Sequence, residues 1–247
     1  MFEELLANPE VQRLLLLNED GLLFAIWETV YVTVVSTLFA YLIGLPLGVL
    51  VVTGEDGGVL PLPKPLMSVL NVIINLLRSV PFLILMVLVI PLSRIILGTS
   101  IGTVATIIPL IVAAFPFVAR LVEGSLREID KGVVEAAQAM GCSPLQIIWK
   151  VMLPESLPSL INGFTTAFIT ILSYGAMAGA IGGGGLGAMA LNLGYQRRMF
   201  IILWVSVIVL VILVQIFQSI GTHFAISLDR RTPSTKKKRK HRTAKQQ

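Results

Sequence analysis

Long apolar segments constrain the fold of this chain more than any other feature. A helix needs about 20 apolar residues to cross a bilayer, and the sequence contains five segments of that length: 21–52, 66–92, 101–122, 158–181 and 200–224. Charged residues make up only 13% of the 247 residues, roughly half the share that is typical of a soluble domain. The sequence therefore predicts an all-α, polytopic membrane protein with five transmembrane helices. In the first span, Gly44, Pro46 and Gly48 favour a kink or close helix packing.

The uneven charge distribution predicts the orientation of the chain in the membrane. Residues 229–247 carry nine Lys/Arg and one acid, whereas the rest of the chain has ten Lys/Arg and thirteen acids. Basic segments flank membrane spans on the cytoplasmic side, so we expect a cytoplasmic C-terminus and an external N-terminus. We predict a short surface segment at 1–20, a membrane domain at 21–226 and a basic tail at 227–247. The tail is expected to contact anionic lipid headgroups, not nucleic acid.

A polar hairpin interrupts the apolar pattern between the third and fourth spans. Its sequence at 135–154, EAAQAMGCSPLQIIWKVMLP, predicts two short amphipathic helices. Asp130 is a suitable N-cap for the first helix, and Gly141 suits a left-handed end. Ser143 and Pro144 are suited to begin the second helix. Amphipathicity alone leaves open whether the hairpin lies on lipid or docks in a partner protein.

Helical spacing also predicts which hairpin residues share a face. We expect one apolar face on each helix, followed by a helix end at Leu153 and Pro154 that leads into the fourth span. The expected face of the first helix consists of Val133, Ala137 and Met140, and that of the second consists of Leu145, Ile148, Trp149 and Met152.

The hairpin resembles the signature of ABC-importer permeases. That signature reads Glu-Ala-Ala, three residues, Gly, nine residues, Ile, one residue and Leu-Pro, and Val151 in place of isoleucine is the one departure. In that family the segment is a coupling helix that docks into a cleft of a separate ATPase subunit. The resemblance implies that the ATPase-coupling residues are Glu135, Ala136, Ala137, Gly141, Val151, Leu153 and Pro154.

Further stretches at 27–50, 76–102 and 173–187 are similar to the methionine-uptake branch of that family. The resemblance implies a homodimer with two ATP-binding cassette ATPase subunits and an extracytoplasmic substrate-binding protein or lipoprotein. It also implies methionine import by alternating access across the bacterial cytoplasmic membrane. The alternatives are a permease for another small solute, such as another amino acid or a phosphonate, and a membrane scaffold without transport activity.

Three residues are candidates for the translocation pathway. Tyr174 and Met177 are the large side chains within SYGAMAGAIGGGG, where small residues allow close helix packing. Met177 either closes a pore at the two-fold axis or packs against the fifth span. Arg78 either reaches carbonyls at a helix break before Pro81 or places a positive charge near the pathway. Glycines at 175, 179, 183 and 187 form a small-residue stripe, and those beyond Ile181 predict a turn on the outer side.

The absence of catalytic and nucleotide-binding motifs argues against an enzyme. The chain has no HExxH and no nucleotide-binding GxxxxGK[ST] sequence. The GxGxxG match at 182–187 ends a membrane span instead of following a strand, so we interpret it as accidental. No acid is expected in the middle of a span to bind a coupling ion or proton. We expect no cofactor, no metal site and an ATPase on a separate chain.

Overall fold

The structure is a computed structural model that describes residues 9–15 and 21–228. Every regular element in these residues is a helix, which confirms the all-α class. The main helices are α1 (Pro9–Leu14), α2 (Leu22–Thr53), α3 (Lys64–Ser79), α4 (Phe82–Leu97), α5 (Ile107–Arg127), α6 (Lys131–Ala139), α7 (Pro144–Ile147), α8 (Leu157–Ala178), α9 (Gly185–Ala188) and α10 (Phe200–Leu228). The predicted tail at 227–247 lies outside the described residues beyond Leu228.

The second predicted span is broken. Its two halves, α3 and α4, meet at an angle of 110°. Pro81 has no backbone N–H and disfavours a helical conformation at the preceding residue, and Val80 is accordingly extended (φ −78°, ψ 127°). The span predicted over 66–92 therefore consists of two helices, with the break directly before Pro81 that the sequence indicated. Four described helices are long and apolar enough to cross a membrane, and α3–α4 provides a fifth crossing only if the bent pair is one span.

Helices α2 and α5 pack side by side and run in the same direction. A Cβ atom at Gly44 would lie 2.8 Å from the carbonyl oxygen of Phe115, and one at Gly48 would lie 2.6 Å from that of Ala119. Only residues without a side chain allow two helix backbones to approach this closely. The close packing that the sequence favoured for this half of α2 is confirmed.

Polar contacts define the two ends of the helical bundle. Arg127, at the end of α5, pairs with Glu55, just after α2. Thr103, just before α5, donates a hydrogen bond from its hydroxyl to Glu28 near the start of α2. We call the end with the Arg127–Glu55 pair the hairpin end. We call the end with the Thr103–Glu28 hydrogen bond the glycine end. Because α2 and α5 both run towards the hairpin end, the bent pair α3–α4 between them must lead back to the glycine end.

The remaining long helices continue this alternation. Helix α8 begins at the hairpin end, where the hydroxyl of Ser159 donates to that of Ser125 over 3.1 Å. Helix α10 begins at the glycine end, where Ile202 packs in a buried cluster with Ala25 of α2. These contacts give the alternating directions expected of five passes, although the span count itself stays a prediction.

The N-terminal helix α1 caps the last long helix. The backbone N–H of Ile201, in the first turn of α10, donates to the carboxylate of Glu10 over 2.9 Å. Leu14 is buried in the same cluster as Ile202. The described part of the predicted surface segment at 1–20 is therefore attached to the glycine end, whereas residues 1–8 and 16–20 lie outside the described chain.

Candidate coupling hairpin and translocation cavity

Side-chain caps fix the start of each hairpin helix. Asp130 accepts a hydrogen bond from the backbone N–H of Gly132 over 2.8 Å. Ser143 and Gln146 form a reciprocal capping box, in which each side chain accepts from the backbone N–H of the other residue. Pro144 occupies the first turn, where its missing N–H is not needed. All three predicted start signals are confirmed.

Gly141 ends α6 in the left-handed conformation, with φ +78°. The N–H of Gly141 donates to the carbonyl of Gln138 over 2.9 Å, and that of Cys142 donates to the carbonyl of Ala137 over 3.2 Å. This pair of bonds is the Schellman motif, in which a residue with positive φ reverses the chain at a helix end. The predicted role of Gly141 as a helix stop is confirmed.

The second hairpin helix ends within one residue of the predicted end at Leu153 and Pro154. A π-helical segment, Ile148–Met152, follows α7, and a short α-helical turn, Leu153–Glu155, connects it to α8. A proline cannot donate the usual hydrogen bond to the fourth residue before it. The wider π turn directly before Pro154 changes that bonding pattern. The helix ends at Glu155, one residue beyond the predicted end, and the turn at Ser156 leads into α8.

The signature residues divide into anchors and surface residues. Ala137 is only 2% exposed, and Val151 and Leu153 pack against the main buried cluster of α2, α5 and α8. Ala137 is therefore buried in this structure, and its coupling role stays a prediction. Exposed positions of the signature are Glu135, Ala136, Gly141 and Pro154.

Three large apolar side chains of the hairpin are exposed, and we call these three residues the hairpin patch. Met140 is 77% exposed, Leu145 62% and Trp149 67%. Ile148 and Met152, which helical spacing placed on one face with Leu145 and Trp149, are instead buried. The single apolar face predicted for the second hairpin helix is therefore wrong. The π-helical segment shifts the angular positions of its residues around the helix axis. Exposed apolar side chains on a segment between membrane spans make that segment a candidate interaction surface.

Arg78 and Tyr174 meet at a cavity beside the bend between α3 and α4. The cavity has a volume of about 190 Å³, and Phe82, Ala113 and Phe117 also line it. The rings of Phe82 and Tyr174 stack with centroids 4.1 Å apart and an angle of 8° between their planes. Two of the three predicted pathway residues thus share one site.

Arg78 has an exposed side chain. Within the described residues, the guanidinium group of Arg78 makes no hydrogen bond and no ion pair. The interpretation that it reaches carbonyls at the helix break is therefore wrong. The second interpretation, a positive charge near the pathway, is the one that its place in the cavity favours.

Met177 lies one helical turn beyond Tyr174, towards the glycine end. Its side chain is 47% exposed and belongs to none of the buried clusters of the described residues. A core role against the last long helix therefore has no support from burial. Its role as a gate stays a prediction, because one chain does not show the two-fold axis.

The predicted glycine stripe is broken by a turn. Helix α8 ends at Ala178, and Gly182 follows in the left-handed conformation with φ +95°. Gly187, which the sequence placed on the same helix face as Gly175, instead lies on α9 and packs directly against Ala176. The continuous stripe is wrong, and the turn beyond Ile181 is confirmed.

Glu28 and Thr29 hold the start of α9, and sequence reasoning missed both. The N–H of Gly185 donates to Glu28 over 2.8 Å, and the N–H of Leu186 donates to the hydroxyl of Thr29 over 2.9 Å. Thr103 donates to the same carboxylate. An acid in the first turns of an otherwise apolar helix was the available signal, since such a group needs hydrogen-bond donors.

Arg120 joins α5 to α3 near the hairpin end. Its guanidinium donates to the side-chain oxygens of Asn71 over 3.0 Å and Asn75 over 2.8 Å, and it pairs with Glu123. Glu123 also pairs with Arg127 over 3.0 Å. This network was not predicted, because the sequence does not show which helices are neighbours. In the part of the chain that the structure describes, no three His, Cys, Asp or Glu residues could hold a metal ion.

Comparisons with known proteins agree with this architecture. The chain is 48% identical over 215 residues to the probable D-methionine transport system permease protein MetI of Vibrio cholerae, covering 87% of this chain and 95% of that protein. It is 46% identical over 204 residues to the protein of the same name from Pasteurella multocida, covering 83% and 94%.

Solved structures show the same fold. An inward-facing structure of the MetNI methionine ABC transporter matches with a TM-score of 0.80 and 44% identity, covering 83% of this chain and 94% of that one. An amino acid ABC transporter matches with a TM-score of 0.69 at 19% identity, which supports the fold alone. The family of binding-protein-dependent transport system inner membrane components matches residues 40–225. The chain therefore belongs to that family.

Proposed function

We propose that this chain is the permease subunit of an ABC importer that moves methionine across the bacterial cytoplasmic membrane by alternating access. The observation that carries the proposal is 48% identity to a probable D-methionine permease over 95% of that protein's length. The chain itself is not an enzyme, and a separate ATPase subunit hydrolyses ATP. The partners are a second copy of the chain, two such ATPase subunits and an extracytoplasmic substrate-binding protein or lipoprotein.

The hairpin patch is the proposed docking surface for the ATPase. Met140, Leu145 and Trp149 offer apolar contact area, and Glu135 and Lys150 are exposed on the same hairpin. A helix that only rests on lipid needs no rigid attachment to the bundle. Capped ends and buried anchors instead favour a segment that transmits force, which supports an ATPase over lipid as the occupant.

The proposed topology has five spans, with the bent pair α3–α4 as the second. The parallel packing of α2 and α5 supports it, because the chain must cross back between them. The hairpin end and the basic C-terminal tail then lie in the cytoplasm, and the glycine end faces the binding protein. Positive charge in the tail is the basis for this orientation.

The proposed pathway includes Arg78, Tyr174 and Met177. Arg78 and Tyr174 line the cavity at the bend, and the half-exposed Met177 lies between that cavity and the glycine end. In a two-fold dimer, paired methionines can close a pore with flexible apolar side chains. We assign Met177 the role of a gate on this basis.

Transport by the reconstituted complex tests the proposal. The chain is purified with its ATPase, placed in liposomes and supplied with its binding protein and labelled methionine. We expect ATP-dependent uptake that unlabelled methionine suppresses and an equal concentration of an alkylphosphonate does not. Absence of a co-purifying ATPase, or absence of methionine uptake by an assembled complex, would contradict the proposed function.

A further inference from the structure

The cavity at the bend combines features that point to a specific part of a substrate. Arg78 lies at the end of α3, Phe82 begins α4 and Phe117 lies near the middle of α5. The cavity is therefore about halfway between the hairpin end and the glycine end. Transporters bind substrates at this depth, where an interrupted helix exposes its ends.

The positive charge of Arg78 is uncompensated among the residues that the structure describes. The residues that line the cavity include no Asp or Glu, and Arg78 has no partner among the described residues. A charged side chain within a membrane domain is costly unless it pairs with an opposite charge or meets water. An arginine binds a carboxylate through two parallel hydrogen bonds, which makes it suited to a transient anionic ligand. The N-terminus of α4 lies at the same edge without a side-chain cap, and its partial positive charge has the same sign.

The aromatic part of the cavity suits the remainder of an amino acid. Phe82 and Tyr174 stack as one surface, and Phe117 lies on the same cavity. Aromatic faces attract an ammonium group, and thioether sulfur makes favourable contacts with aromatic rings. We infer that this cavity binds the transported amino acid, with its carboxylate on Arg78 and its ammonium and side chain on the aromatic surface. The inference rests on the proposed transport function and specifies its substrate site.

Photo-crosslinking and uptake together test this assignment. The complex of the chain with its ATPase is incubated with photo-methionine, which carries a diazirine in its side chain, and the labelled peptides are identified by mass spectrometry. Arg78→Gln removes the charge with little change in length, Arg78→Lys retains a point charge, and Arg94→Gln is the matched control. Arg94 is also exposed and near the end of a helix of the bent pair, but it does not line the cavity.

The wild-type complex should be labelled within the segments that contain Phe82 or Tyr174. A hydrogen bond between a charged donor and a carboxylate contributes to the binding free energy, and Arg78→Gln removes that contribution. The substitution should therefore lower both labelling and uptake at least about tenfold. Arg78→Lys should fall between Arg78→Gln and wild type, and Arg94→Gln should stay within about twofold of wild type. Unchanged uptake and labelling in Arg78→Gln would overturn the inference while leaving the transport function intact.

A second measurement needs no variant. Methioninol has the side chain and the amine of methionine but no carboxylate, so it should compete with photo-methionine at this site at least about tenfold less well than methionine does. Equal competition would overturn the assignment of the carboxylate to Arg78. If the wild-type complex imports no methionine at all, the proposed function fails and not this assignment alone.

Discussion

Gly141 provides a sharp test of how the hairpin is positioned. Its φ of +78° lies in the left-handed region, which costs a residue with a side chain roughly 1–2 kcal/mol. A Cβ atom there would have no heavy atom within 4 Å, so the cost is conformational and not steric. Gly141→Ala should therefore destabilise the native turn by about 1–2 kcal/mol. If this turn positions the ATPase-docking surface, binding of the ATPase should weaken about fivefold to thirtyfold.

A series of substitutions separates conformation from size. Gly141→Asn should retain most of the binding, because asparagine adopts the left-handed conformation more readily than other residues with side chains. Gly141→Val should be worse than Gly141→Ala, because β-branched residues are especially disfavoured at positive φ. The assay is titration of the ATPase onto the purified permease, with uptake measured in parallel and membrane insertion unchanged. Equal binding by all three variants and wild type would refute the reasoning.

Three further predictions concern packing, topology and gating. Gly48→Val should destabilise the complex by about 1–3 kcal/mol, because the added side chain meets the backbone of α5, and the measurement is a lower Tm. Gly175→Ala is the control and should not lower the Tm, because a Cβ atom at Gly175 lies in open space. Cys142 is partly exposed. It should react with a membrane-impermeant thiol reagent only from the cytoplasm, and the reaction should be slower once the ATPase is bound. Labelling from outside intact cells would contradict the proposed orientation. Met177→Ala should raise ATP hydrolysis without substrate while the complex stays assembled, and a loss of thermal stability alone would show that Met177 is a packing residue.

The hairpin caps could be predicted because the interactions are local. Asp130, Gly141 and Ser143 each bond to residues within five positions along the chain. Short-range capping rules describe such bonds completely. The choice between Ala136 and Ala137 could not be made in this way, because it depends on how the hairpin packs in the main buried cluster. The same long-range packing decides that Ile148 is buried while Trp149 is exposed.

The bend and the glycine end could be predicted only in part. Pro81 indicated a helix break, but no local pattern predicts the angle of 110° between α3 and α4. Glu28 lies 157 positions from Gly185, and no local pattern relates residues so far apart. The four-residue spacing of the glycines predicts one shared helix face, and this prediction holds only as far as Ala178, where α8 ends. It failed beyond that point because the chain turns back and uses the last of these glycines to approach Ala176.

Helix α5 provides a continuous physical connection between the hairpin patch and the cavity. On one side, the hairpin anchors Ile148 and Met152 pack in the same buried cluster as Val122 of α5. On the other side, Arg120 of α5 bonds to Asn75 of α3. Asn75 lies one helical turn before Arg78.

This connection runs through rigid elements. Buried packing and charged hydrogen bonds resist separation more than flexible loops do. A movement of the hairpin by a bound ATPase would therefore displace α5, and the Arg120 contact would transmit that displacement to α3. Because α3 ends at the bend, the same movement would change the position of Arg78 relative to Phe82 and Tyr174. Alternating access requires such a link between the proposed ATPase surface and the proposed substrate site, and α5 is the helix that lies between them.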